Sequence, residues 1–154
     1  MTVEGHAEVE VEVGDRSVRI TNPGRVYFPA RGVTKLDLVR YYLSVGDGIV
    51  RALRERPCMM HRFPSGVAGE KVHQKRVPHG APPWLETVRV YFPRYGRHAD
   101  ELCVTELAAV IWAVQMSTVE FHSWNSRRAD VHSAVMTWRK CPLGCYVCQL
   151  TRIS

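Results

Sequence analysis

The chain contains no run approaching the roughly 18 apolar residues that a membrane-crossing helix needs. Its opening segment, with Glu4, Glu8, Glu10 and Glu12, lacks the basic and apolar regions of a secretory leader. The expectation is a cytoplasmic protein. A Gly-x-Ser-x-Gly elbow, a Walker phosphate loop and a Rossmann glycine run are also missing. Hydrolase and nucleotide-driven motor readings therefore fall away. The seven histidines are scattered, and no catalytic triad can be assembled from them. Five cysteines, Cys58, Cys103, Cys141, Cys145 and Cys148, make an odd, unevenly spaced set, which argues for reduced thiols and against a secreted disulfide framework. No internal repeat or low-complexity linker interrupts the 154 residues, 45% of them hydrophobic, so one domain or part of one is expected.

What is present is basic charge. The formal net charge is +6, which favours a polyanionic partner because each neutralised phosphate releases condensed counterions. The charge is unevenly placed: the N-terminal segment is acidic, while Arg51, Arg54, Arg56, Arg62, Lys71, Lys75 and Arg76 crowd one stretch that continues to Arg97. One face of such a protein can follow a nucleic-acid backbone.

Residues 8–13 alternate Glu with Val, the pattern of a strand with Val9, Val11 and Val13 inward and carboxylates in solvent. Gly14-Asp15 turns this strand into a second over Ser17–Ile20. Thr34-Lys35-Leu36-Asp37 has the form of a capping box, opening a helix to about Glu55 that Pro57 ends and that Gly46 and Gly48 weaken in the middle. Short strands follow over Cys58–Phe63, Lys71–Arg76 and Thr87–Phe92, then an apolar helix over Thr105–Met116 and a strand over Thr118–His122. The fold class is α+β, an antiparallel or mixed sheet with two main helices.

Three groups carry candidate chemistry. Ile20 to Lys35 interleaves Arg25, Arg31 and Lys35 with turn residues and aromatics. Lys35 would open the helix, so an anion beside it would also meet free backbone N–H groups; the plainer reading is a solvated basic loop. His122 ends a strand with Arg127 and Arg128 close behind, a setting where an imidazole and two guanidinium groups converge on a triphosphate, or where the histidine is merely structural. Cys141, Cys145 and Cys148 have the spacing of a radical-SAM cluster loop, but that chemistry needs a barrel after the loop. With His132 they have instead the composition of a zinc site, or form a cysteine-rich tail without a metal.

The blocks ITNPGRVYFPARGVTKLDLVRYY (20–42), RPCMMHRFPSGVAGE (56–70), QKRVPHGAPPWLETV (74–88), ADELC (99–103) and VEFHSWNSRRAD (119–130) stand in this order. Together they resemble the N-terminal half of the polymerase domain of bacterial DNA ligase D, within the archaeo-eukaryotic primase superfamily. The resemblance covers about residues 8 to 130. It implies a partial primase-polymerase-like domain related to non-homologous end joining in the bacterial cytoplasm, a family that transfers nucleotides with Mn²⁺ or Mg²⁺. By the same resemblance Arg25 and Lys35 match the residues that grip the 5′-phosphate of a DNA end, and His122 matches the contact to the incoming nucleotide's triphosphate. His61 occupies a slot often held by lysine. Val72 and His73 stand where the family places aromatics against the template, and His61, His73 and Lys75 are expected as weaker DNA contacts.

The resemblance fails after Asp130. The family continues into an Asp-x-Asp strand that holds its divalent metals, whereas residues 131–154 contain no acidic residue and the chain has no Asp-x-Asp anywhere. Phosphoryl transfer without those ligands is not expected, so neither catalytic nor metal-binding residues and no resident cofactor are assigned. Residues 131–154 read as a divergent Cys-rich tail with the composition of a shifted reading frame. The expected function is binding of DNA ends bearing a 5′-phosphate, with a nucleoside triphosphate, a DNA ligase or end-binding protein, and a second copy meeting an exposed sheet edge as further partners. Two other readings remain: an active nucleotidyltransferase completed by another subunit, and a small Cys-rich metal-binding interaction protein.

Overall fold

The computed structural model describes residues 7–131, 134–140 and 146–152, with side chains through residue 131. The acidic strand β1 (Glu8–Val13) pairs antiparallel with β2 (Arg16–Thr21). Its glutamates face solvent while Val13, Val18 and Ile20 enter the core, as the alternation predicts. Short strands β3 (Val26–Phe28) and β4 (Val33–Thr34) flank a 3₁₀ turn, Pro29–Arg31, and lead into α1 (Lys35–Ser44). The capping box is present in full: the Asp37 N–H donates to Thr34 Oγ1, and the Asp37 carboxylate accepts from the Thr34 N–H.

The single helix expected to about Glu55 is two, α1 and α2 (Gly46–Leu53). A Cβ at position 46 would stand 2.6 Å from Leu107 Cδ2, so the bare glycine that opens α2 allows its close approach to α3 (Leu107–Gln115). With α3 the described residues hold three helices rather than two main ones. Ala108 through Val114 are all buried, which makes α3 a central helix apolar on every side.

The main sheet is antiparallel in every described pairing. Strand β5 (Pro57–Arg62) is its centre: one edge pairs with β9 (Thr118–Ser123), and the other pairs first with β8 (Arg97–Cys103) and then with β6 (Val72–Gln74). Strand β7 (Thr87–Phe92) joins β8 on the outside. Cys58, Met60 and Leu102 pack from the sheet against Leu38, Val39 and Tyr42 of α1 and the apolar residues of α3. Burial pushes the Cys58 and Cys103 thiols up to about 12 and about 11, and both are free. Beyond residue 131, β10 (Ala134–Lys140) and β11 (Tyr146–Arg152) form an antiparallel pair. Of the sequence-based zinc set, His132, Cys141 and Cys145 lie outside the described residues, as does the side chain of Cys148.

Candidate functional site

The segment that carries Arg25 and Lys35 closes on itself before it meets solvent. The Lys35 side chain is buried at 4% exposure. Its ammonium donates to the Thr21 carbonyl at 2.8 Å, the Gln115 carbonyl at 3.1 Å and Gln115 Oε1 at 3.3 Å. Gln115 completes the link by donating to Thr21 Oγ1 and accepting from the Thr21 N–H. Lys35 thus fastens β2 and α1 to the end of α3. Burial, helped by the nearby charge of Arg25, lowers its pKa to about 8. The free N–H groups expected at the start of α1 are occupied: Lys35 N–H donates to the Arg25 carbonyl, Leu36 N–H to the Pro23 carbonyl and Asp37 N–H to Thr34. The turn just ahead of β3 supplies these carbonyls, brought to the helix start by the β3–β4 pairing, and the Asp37 carboxylate supplies the negative charge there.

Arg25 differs from Lys35 in being exposed. Its guanidinium donates to the Pro64 carbonyl in the loop after β5, which leaves further N–H groups of the fork for an anion. Arg31 is an exposed cation on the 3₁₀ turn.

A second group gathers on the main sheet. Alternation along β9 places Glu120 and His122 on one face, and the β5–β9 and β5–β6 registers bring His61 and His73 beside them. The His61 ring stacks on His122 with centroids 3.6 Å apart and lies 4.3 Å from His73. Glu120 Oε2 is the meeting point: His61 Nδ1 is 2.8 Å away, Lys71 Nζ 3.0 Å and His122 Nε2 3.4 Å. Those hydrogen bonds, His61 first and Lys71 second, hold the Glu120 carboxyl down to about 2. At His61 burial prevails over the carboxylate and lowers the pKa, so a neutral imidazole donates to an anion. The ligand atoms of His61, Glu120 and His122 all lie within 4.8 Å of one another.

Three of the residues expected from sequence, His61, His73 and His122, therefore share one site. The structure places Lys75 elsewhere, its ammonium 4.1 Å over the Phe92 ring, a cation–π contact. Arg128 does not join His122 either: its guanidinium pairs with Glu55 and Glu86. The Arg128 arm of the convergence on a triphosphate read from the spacing is thus engaged elsewhere, because two carboxylates from distant segments already pair with that side chain. Sequence reasoning missed Glu120 and the part played by Lys71, although the period-two spacing of Glu120 and His122 was available. It also missed Glu101, buried at 1% exposure and pushed by that burial up to about 7.

The fold is that of a ligase D polymerase domain: the polymerase domain from Mycobacterium tuberculosis ligase D in complex with DNA superposes with a TM-score of 0.67 at 23% identity, over 86% of this chain and 42% of that one. The family model for the LigD primase-polymerase domain matches residues 34–137, and the chain belongs to that family. The multifunctional non-homologous end joining proteins LigD of Mycolicibacterium smegmatis and Pseudomonas aeruginosa are 34% and 33% identical over 115 and 114 residues. Those alignments cover 73% and 74% of this chain but only 15% and 13% of the relatives. The family match runs past the boundary near residue 130 at which the blocks end.

Proposed function

We propose that this chain binds DNA ends through a 5′-phosphate and carries out no nucleotidyl transfer by itself. The observation that supports this most is the adjacency of the two cations at the start of α1: the Lys35 N–H donates to the Arg25 carbonyl, and the Arg25 side chain is exposed. An anion held at Arg25 offsets both charges, and its oxygens meet the planar guanidinium fork bidentately. Lys35 contributes long-range charge from beneath, and would contact the phosphate directly only by giving up Thr21 or Gln115. A nucleoside triphosphate is the second ligand of this reading, with His122 at the exposed end of β9 as its contact and His61 and His73 lining the same face.

The family's Mn²⁺ or Mg²⁺ does not fit the described residues. Both ions favour carboxylate, carbonyl and water oxygens. Among the described residues the candidate ligand group is His61, Glu120 and His122, with two nitrogens and one carboxylate whose Oε2 already accepts from Lys71. No transfer step is derived through those ions. A DNA ligase or end-binding protein supplies the chemistry in this scheme, and the outer edges of β7 and β9 offer places for a second copy or for further parts of a polymerase domain to pair.

The decisive experiment is competition between 5′-phosphorylated and unphosphorylated recessed DNA ends. The phosphorylated end is expected to win, and Arg25→Ala to abolish the difference. Equal binding of the two ends by the parent protein would sink the proposal. Primer extension with Mn²⁺ tests the other half: template-dependent product from the purified chain would show that it transfers nucleotides after all.

A further inference from the structure

We propose that His61, Glu120 and His122 form a mononuclear site for a borderline divalent transition metal of the zinc class. The donors come from adjacent strands, so the backbone ladder between β5 and β9 sets their separation rather than the rotamers of a loop. A tetrahedral ion with bonds of about 2.0–2.1 Å holds its ligand atoms roughly 3.3 Å apart. Here Glu120 Oε2 stands 2.8 Å from His61 Nδ1 and 3.4 Å from His122 Nε2. Both Glu120 distances are within a few tenths of an ångström of that value; the three ligand atoms lie within 4.8 Å of one another, and the stacked His61 and His122 rings must turn for both lone pairs to meet one ion.

The chemistry of the set points the same way. Two imidazoles and one carboxylate suit zinc and its neighbours better than magnesium or calcium, and three protein ligands leave a fourth position open. That position faces water, since the Glu120 and His122 side chains are 45% and 50% exposed. His61 is the anchored member at 5% exposure and would ligate through Nδ1, the nitrogen that faces Glu120; its Nε2, buried without a hydrogen-bond partner among the described residues, would then carry the ring proton. His73, its ring 4.3 Å from that of His61, brings a further imidazole to the same face.

Lys71 is the competitor. Its ammonium sits 3.0 Å from the carboxylate oxygen that the ion would take, so metal and Lys71 are alternative partners of Glu120. The proposal also separates two states of His122, because an imidazole that ligates through Nε2 offers no proton there to a phosphate. It does not depend on DNA or nucleotide binding, and its failure would leave the proposed function untouched.

The test uses the full chain carrying Cys141→Ser, Cys145→Ser and Cys148→Ser, so that tail thiols cannot take the probe. Co²⁺ is titrated and followed by its visible d–d absorption, then displaced with Zn²⁺. One equivalent is expected to bind. His122→Ala and Glu120→Gln, both at exposed positions that leave the core intact, should each weaken binding by at least about tenfold, since loss of even an outer-shell partner commonly costs that much. Lys71→Met should tighten it. Failure of the parent to bind an equivalent, or equal affinity in the parent and both ligand variants, would overturn the site.

Discussion

Lys35 shows how one side chain changes meaning with its surroundings. In sequence it is a cation opening a helix; in the fold it is a buried donor satisfied by three acceptors, with its pKa lowered from 10.5 to about 8. The unfolded chain therefore holds a proton between about pH 8 and 10.5 that the native state has given up, so the Lys35 contribution to stability rises with pH across that window. Urea denaturation at pH 7.5 and pH 10 should show the stability of the parent relative to Lys35→Met increasing at the higher pH. Glu120 follows the same sign in acid. Its carboxyl is held near 2 instead of 4.5, so its stabilisation is present above 4.5 and is lost as pH falls towards 2. The lowered pKa of His61 adds a loss that begins below its ordinary 6.5. Glu120→Gln should flatten the acid side of the stability profile between pH 4.5 and 2, a modest effect because the carboxylate is half exposed.

At the scale of elements, local signals served well where the interactions are local. The Thr34–Asp37 box joins residues three apart, and both reciprocal bonds form. Thr34→Ala should cost about 1 kcal/mol of stability, measured by denaturant midpoint. The Glu-Val alternation of β1 and the turn at Gly14-Asp15 were equally readable. The split between α1 and α2 was only half legible, since Gly46 marks a weak point in sequence whereas its close approach to Leu107, on another helix, belongs to the fold. Strand β8 escaped pattern reading because Ala99 and Glu101–Cys103 are buried in a segment that also carries Arg97, His98 and Asp100. A buried glutamate defeats a hydrophobic-periodicity argument.

The whole molecule decides the electrostatics of DNA binding. If Arg25 is the phosphate contact, Arg25→Ala should reduce the slope of log K against log salt by about 0.9, the share of one neutralised phosphate. The net charge and the basic stretch anticipated a polyanion without saying which cations are free to meet it. Arg128 is held by Glu55 and Glu86, Lys75 lies over Phe92, and Lys35 reaches Gln115, 80 residues away in sequence. The sequence by itself determined the α+β class, the cap, the hairpin, the apolar central helix and membership of the ligase D polymerase-domain family, because these rest on near-neighbour spacing or on ordered blocks along the chain. Only the tertiary structure decided that Lys35 points inward and that His61, His73, Lys71, Glu120 and His122 meet on one sheet face. Both depend on strand register and on partners brought in from distant segments.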